Sequence, residues 1–162
     1  MNKNDQIKLF DFLVKNKVEN FLGVPDSTMK HFINRGLEKN KIIITTKVEE
    51  AIGIATGMSL CKSKSLVFMQ NAGFGNSIST ITSLVQLYKI PLIFLIGWRG
   101  YLSSDAPEHL LFGKIQPEIL KSLGMNTHIL DSKTWQKSAK WALDTISKGN
   151  SCALVIKREF HD

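Results

Sequence analysis

Cysteine is scarce in this chain. Cys61 and Cys152 are its only two, far apart, with no Cys-x-x-Cys spacing and no companion histidine. A disulfide framework and a thiolate metal site are therefore not expected, and both read as reduced core thiols. Arginine is scarcer than its charge class suggests, with three (Arg35, Arg99 and Arg158) among 21 basic residues. The net charge of +7 is not gathered into any block of five or six like charges. Such scattered charge argues against nucleic-acid binding and for an anionic small molecule or an acidic partner chain. The longest apolar run, Ile90 to Trp98, is far too short to span a membrane. The opening Met1-Asn2-Lys3-Asn4-Asp5 leads into an amphipathic segment and not an apolar leader. A cytoplasmic protein without membrane association is expected.

Several catalytic signatures are missing too. Gly73-Phe74-Gly75 lacks the third glycine of a dinucleotide fingerprint, and no Gly-Lys-Ser or Gly-Lys-Thr follows it. No Ser-His-Asp or Cys-His arrangement and no metal-ligand cluster can be assembled, so no metal is expected on this chain. His31, His128 and His161 have no supporting constellation.

What is present is an alternation of strand and helix patterns. The 162 residues, 43% hydrophobic and 22% charged, suit one globular domain. Helical spacing of Ile7, Phe10, Leu13 and Val14 predicts a helix over 4–16. A strand over Val18–Val24 is closed by Pro25, with Asp26 or Ser27 placed to cap the next helix, which packs through Met29, Phe32, Ile33 and Leu37. A buried strand over 42–46 then leads into a helix of small residues running to about Ser59. A third strand, Leu66–Met69, ends in the loop Gln70–Asn76. The helix after it carries Ile78, Ile81, Leu84, Val85 and Tyr88 on one face.

Ile90–Ile96 is a continuous apolar strand, as expected for the centre of a parallel sheet. From Tyr101 to Pro117 the pattern reads as a polar loop with at most a turn or two of helix, before a short helix at Glu118–Leu123. A strand at Thr127–Leu130, a helix capped by Ser132 with Trp135, Ala139, Ala142 and Ile146 inward, and a last strand at Cys152–Ile156 complete the chain. The fold class expected is α/β, an open, mostly parallel sheet with helices on both faces and right-handed crossovers.

In such folds ligands sit beyond the C-terminal strand ends. The unusual loops Gly23–Ser27, Lys47–Glu50, Gln70–Asn76 and Trp98–His109 all fall on that edge. Glu49 and Glu50 stand at a helix start, where carboxylates meet free N–H groups, either as a favourable first turn or as catalytic acids. Arg99 ends a buried strand, and its planar fork suits either a two-pronged grip on an oxyanion or a structural pair with Asp105 or Glu108. His109 is a loop histidine, either solvated or engaged with substrate.

Taken together, Gly23-Val24-Pro25-Asp26-Ser27, Glu49–Gly57, Gln70–Asn76, Gly97-Trp98-Arg99-Gly100 and Asp105-Ala106-Pro107-Glu108-His109 occur in an order and spacing that resembles a known family. That family is the pyrimidine-binding domain of thiamine-diphosphate enzymes, and within it the phosphonopyruvate decarboxylases and sulfopyruvate decarboxylase alpha subunits. The resemblance implies a single domain over 1–162. Thiamine diphosphate would have its pyrimidine ring near Pro25, Val48, Asn71 and Phe74. Diphosphate and Mg2+ would be held by a separate beta-type partner chain, since no Gly-Asp-Gly…Asn motif is present.

A homodimer or hetero-oligomer follows, with a small anionic 2-oxoacid as substrate. Arg99 and Ser27 would meet its head group, and Asp26, His109 and Glu49 would handle protons. The expected function is a 2-oxoacid decarboxylase subunit acting on 3-phosphonopyruvate or 3-sulfopyruvate. The rivals are a carboligase subunit and a non-catalytic paralogue.

One position departs from the family. Its glutamate, which contacts the pyrimidine N1′, stands nine residues before the glycine matching Gly57, and here that position is Val48. Glyoxylate carboligase resembles this pattern, with Val followed by Glu. Three readings stand: an apolar contact at the ring, a shifted strand end that brings Glu49 to the ring, or a chain that binds without decarboxylating.

Overall fold

The computed structural model describes residues 1–157; Arg158 and His161 lie outside the described residues. Six parallel strands form one sheet in the order β2-β1-β3-β4-β6-β5. They are β1 (Val18–Gly23), β2 (Ile42–Ile44), β3 (Lys64–Gln70), β4 (Ile93–Trp98), β5 (Thr127–Leu130) and β6 (Cys152–Lys157). The helices are α1 (Lys3–Lys15), α2 (Lys30–Glu38) after a short 3-10 turn at Ser27–Met29, α3 (Val48–Leu60), α4 (Asn71–Asn76), α5 (Ile78–Thr80), α6 (Pro107–Ser122) and α7 (Trp135–Ser147). A π-helical turn, Ile81–Gln86, extends α5.

Side chains alternate across the strands and so build two cores. Leu66 and Phe68 of β3 join α1, α2 and α7 through Phe10, Phe32 and Ala139. Val67 and Met69 face the other side, toward Ile52 of α3, Phe74 of α4 and Leu120 of α6. Phe10 stands between Phe21 and Phe32, at ring separations of 4.6 and 5.2 Å, a tilted and edge-on arrangement suited to ring quadrupoles. His128 stacks on Trp141 at 3.8 Å and its Nδ1 lies 3.2 Å from Ser138 Oγ, so it serves packing between β5 and α7.

Several sequence expectations need correction. The segment at 42–46 is a three-residue edge strand, with Ile43 and Ile44 exposed because no strand covers its outer side. Leu37 and Tyr88 are exposed rather than packed, and Cys61, at the end of α3, is exposed while Cys152 is buried. Burial pushes the Cys152 thiol up to about 12. Ser132 does not cap α7: its N-cap is Thr134, with no side-chain cap bond, and Asp131 instead braces the turn before it, its carboxylate accepting from the backbone N–H of Lys133 and Thr134.

The stretch read as the loop Gln70–Asn76 is helical from Asn71 onward. The largest correction is α6, a sixteen-residue helix where a polar loop was expected. Pro107 starts it at a position where no intrahelical N–H is needed. Pro117 lies inside it, and its ring nitrogen cannot donate to the carbonyl of Gly113. The indole Nε1 of Trp98 supplies that missing donor at 2.8 Å.

The outer side of α3 is bare. Gly53 and Gly57 look onto open space, and Ile54, Leu60 and the neighbouring edge residues Ile43 and Ile44 are exposed. Among the described residues no helix is long and apolar enough to cross a membrane.

Candidate active site at the strand ends

The parallel register places the C-terminal ends of β1, β3 and β4 side by side, with Gly23 opposite Phe68 and Gln70 opposite Gly97. Hydrogen bonds then tie the following loops into one rim. The Thr45 N–H donates to the Gly23 carbonyl at 3.1 Å, joining the approach to α3 to the end of β1. Gln70 Nε2 donates to Asp26 Oδ2 at 2.8 Å, joining β3 to the Pro25–Ser27 loop. Asn71, itself buried, donates through Nδ2 to the Arg99 carbonyl at 2.8 Å.

Asp26 is buried at the centre of this rim. Its Oδ1 accepts from the Thr28 backbone N–H at 2.9 Å and from the Thr28 hydroxyl. Its Oδ2 accepts from Gln70 and lies 4.0 Å from Arg99 Nη1. The approach depends on Gly97, because a Cβ there would sit 2.6 Å from Asp26 Oδ1 and would strike the Thr28 hydroxyl.

Of the two acidic partners that the sequence offers Arg99 for a structural pair, it takes Asp105. Asp105 accepts from Arg99 Nε at 2.9 Å and from Nη2 at 2.7 Å, a side-on pair that leaves Nη1 and the second N–H of Nη2 outside it. The structural pair with Asp105 is thus present, and Nη1, outside that pair, faces the rim 3.5 Å from Ser27 Oγ. Asp105 also accepts from the backbone N–H groups of Gly100 and Ala106, at 2.8 and 2.9 Å. The Arg99 guanidinium, with those N–H donors, holds the Asp105 carboxyl well below the usual carboxylate range. Hydrogen bonding to Asp105 in turn raises the Arg99 pKa.

The Arg99–Gly100 turn is pressed against α6. A Cβ on Gly113 would come within 2.6 Å of the Arg99 carbonyl oxygen and would collide with Gly100. Gly100 adopts φ +71°, a left-handed conformation that favours glycine, under the His109 carbonyl. His109 itself is half-buried in the first turn of α6.

The remaining candidates divide by burial. Pro25 and Ser27 are exposed at the mouth, whereas Phe74 is fully buried in the core below it. Val48 is 5% exposed and packs on α4, its Cγ2 lying 2.7 Å from where a Gly73 Cβ would be. Glu50 is a capping residue, accepting from the Thr46 N–H and hydroxyl at 3.0 and 2.8 Å. Its carboxyl is lowered chiefly by the Thr46 hydroxyl. Glu49 is half-buried and has no hydrogen-bond partner among the described residues.

Sequence reasoning gave no role to Thr28, Gln70 or Gly113. Gln70 carried one usable signal, since a polar residue closing a buried strand beside a glycine-rich rim needs a partner there. No group of three or more metal-ligating side chains occurs among the described residues.

Known proteins share both sequence and shape with this chain. The family model described as "Thiamine pyrophosphate enzyme, N-terminal TPP binding domain" matches residues 7–124. The sulfopyruvate decarboxylase subunit alpha of Methanocaldococcus jannaschii is 32% identical over 67% of this chain and 65% of its own length. That of Methanococcus maripaludis is 32% identical over 76% of this chain and 74% of its own. The phosphonopyruvate decarboxylase of Streptomyces viridochromogenes is 30% identical over 69% of this chain but only 29% of its own length. Among solved structures, benzoylformate decarboxylase from Polynucleobacter necessarius superposes with a TM-score of 0.73 at 19% identity, covering 94% of this chain and 29% of that one; at that identity it speaks for the fold alone.

Proposed function

The chain belongs to the thiamine pyrophosphate enzymes that carry the N-terminal TPP binding domain, and on that footing we propose that it is the alpha-type subunit of a 2-oxoacid decarboxylase. Its substrate is a three-carbon 2-oxoacid with a phosphonate or sulfonate head. The reading rests on one observation: Arg99 is oriented by Asp105 so that Nη1 faces Ser27 and Asp26 at the mouth of the rim. A guanidinium fixed in this way meets an incoming oxyanion without first losing its own rotational freedom.

The residues at the mouth fit a pyrimidine ring. Pro25 offers an apolar edge, and Val48 and Phe74 form the apolar floor. Glu49, half-buried and without a partner among the described residues, is the carboxylate suited to proton exchange with a ring nitrogen. When bound, thiamine diphosphate supplies the nucleophilic carbon and electron sink that decarboxylation of a 2-oxoacid requires. This chain's residues orient the substrate. Arg99 and Ser27 hold the anionic head, Asp26 stands as a fixed hydrogen-bond acceptor, and His109, in the first turn of α6, is the candidate for proton transfer to the reacting carbon.

The diphosphate and Mg2+ belong to a partner chain. Two features support this: the archaeal relatives are named as alpha subunits, and the match spans under a third of the Streptomyces decarboxylase. The pair works in the cytoplasm as a hetero-oligomer.

Reconstitution with the product of a neighbouring reading frame carrying Gly-Asp-Gly…Asn, thiamine diphosphate and Mg2+ tests the reading. Release of carbon dioxide and phosphonoacetaldehyde or sulfoacetaldehyde supports it. Val48, apolar where an acid is usual, favours a second reading as a carboligase or a non-catalytic subunit. A longer ketol product, or binding with no turnover of any 2-oxoacid, would establish that reading instead. Arg99→Ala is expected to raise KM for the anionic substrate by about tenfold to a hundredfold, one charged hydrogen bond, while cofactor affinity stays close to wild type. Equal losses in both would count against a head-group contact.

A further inference from the structure

A groove of about 400 Å³ lies between α6 and the edge strand β5, away from the mouth just described. Trp98, Leu120, Met125 and Ile129 form its walls, and Gln116, Lys121, Asn126 and Thr127 contribute its polar groups. Ile129, on the outermost strand, is 44% exposed.

Gln116 is the unusual member. It is 1% exposed, yet its Oε1 has no hydrogen-bond partner among the described residues. A buried amide oxygen left unpaired is costly, and native structures rarely keep one without a use. It stands one residue before Pro117, and the carbonyl orphaned by that proline is taken by Trp98, so the one indole lining the groove is already committed. No donor among the described residues pairs with Gln116 Oε1, which leaves it available to a ligand N–H entering the groove. Lys121 lies about one and a half helical turns further along α6, at the exposed rim of the same groove.

We propose that this groove binds a small aromatic carboxylic acid carrying an N–H donor. The ring lies against Trp98, Leu120 and Ile129, the N–H reaches Gln116 Oε1, and the carboxylate meets the Lys121 ammonium. The volume suits a molecule of one fused ring system and a short acid arm. The inference stands independently of the decarboxylase reading, because none of the groups it uses is a proposed substrate or cofactor contact.

The test is an NMR titration of the isotope-labelled full chain with indole-3-acetate, run in parallel with 1-benzothiophene-3-acetate, which has the same shape and no N–H. The expected result is saturable shifts of the Trp98 indole and Ile129 amide signals. Benzothiophene acetate should bind about tenfold more weakly, the worth of one hydrogen bond. Gln116→Met, which keeps the side-chain length and removes the acceptor, should erase the difference between the two probes. Equal affinity for both probes in the wild-type chain overturns the proposal without reliance on any variant. So does the absence of saturable shifts at these signals below about 10 mM.

Discussion

The indole nitrogen of Trp98 donates to the Gly113 carbonyl across 2.8 Å, filling the place of the backbone N–H that Pro117 lacks. A side chain at the end of a central strand thereby completes a helix, and it fixes that helix against the turn that carries Arg99.

Trp98→Phe is accordingly expected to lower stability by about 1 kcal/mol, the usual worth of such a hydrogen bond. Pro117→Ala returns a backbone donor to the Gly113 carbonyl, so in that background Trp98→Phe should cost much less. A double-mutant cycle by denaturant unfolding measures the coupling. Strictly additive losses would show that the indole does not stand in for the missing donor.

Asp105→Asn leaves Arg99 charged, with Asp26 at 4.0 Å as its remaining counter-charge, at a site where the Arg99 and Asp105 side chains are 14% and 2% exposed. Loss of about 3 kcal/mol is expected, in line with removal of one member of a buried pair. Thermal unfolding reads the stability, and KM for the anionic substrate should rise together with it as Nη1 loses its orientation. An unchanged KM would separate Asp105 from substrate positioning.

The same pair sets a pH dependence. The folded-state pKa of Asp105 lies below its unfolded value of about 3.9, so its contribution is fully present above the ordinary carboxylate range. It is withdrawn as the pH falls toward the depressed folded value. Stability curves from pH 6 downward should therefore fall more steeply for the wild type than for Asp105→Asn. Parallel curves would mean that the Asp105 proton equilibrium is not linked to folding.

Gly97→Ala places a methyl group within 2.6 Å of Asp26 Oδ1. A destabilisation of about 1–3 kcal/mol is expected from the overpacking. Activity should fall further than the loss of folded protein explains, since Asp26 must move. Equal stability in the two proteins would show that the rim can yield at this point.

The sheet was legible because its strands carry continuous or alternating apolar runs that local pattern reads directly. Ile90–Ile96 could hardly be anything but a central strand, and the observed β4 lies within and just beyond it. The length of β2 was misread because an edge strand and a central strand can share the same β-branched residues. Only the position in the sheet decides exposure.

The site was legible as a set of loops but not as a network. Local sequence could name Asp105 as a candidate partner for Arg99. It could not show that Asp105 fills two of the three guanidinium nitrogens, because that depends on how a six-residue loop folds back. α6 escaped the reading because an internal proline argues against a helix. Its compensation comes from a tryptophan fifteen residues earlier, on another element.

The bare outer side of α3, with Ile54 and Leu60 exposed beside Ile43 and Ile44 at the open sheet edge, has a consequence for dosage. Apolar surface of this kind drives self-association when nothing shields it. A cell synthesising this polypeptide in surplus would accumulate material prone to clump, so output of the chain is best matched, molecule for molecule, to whatever shields that flank.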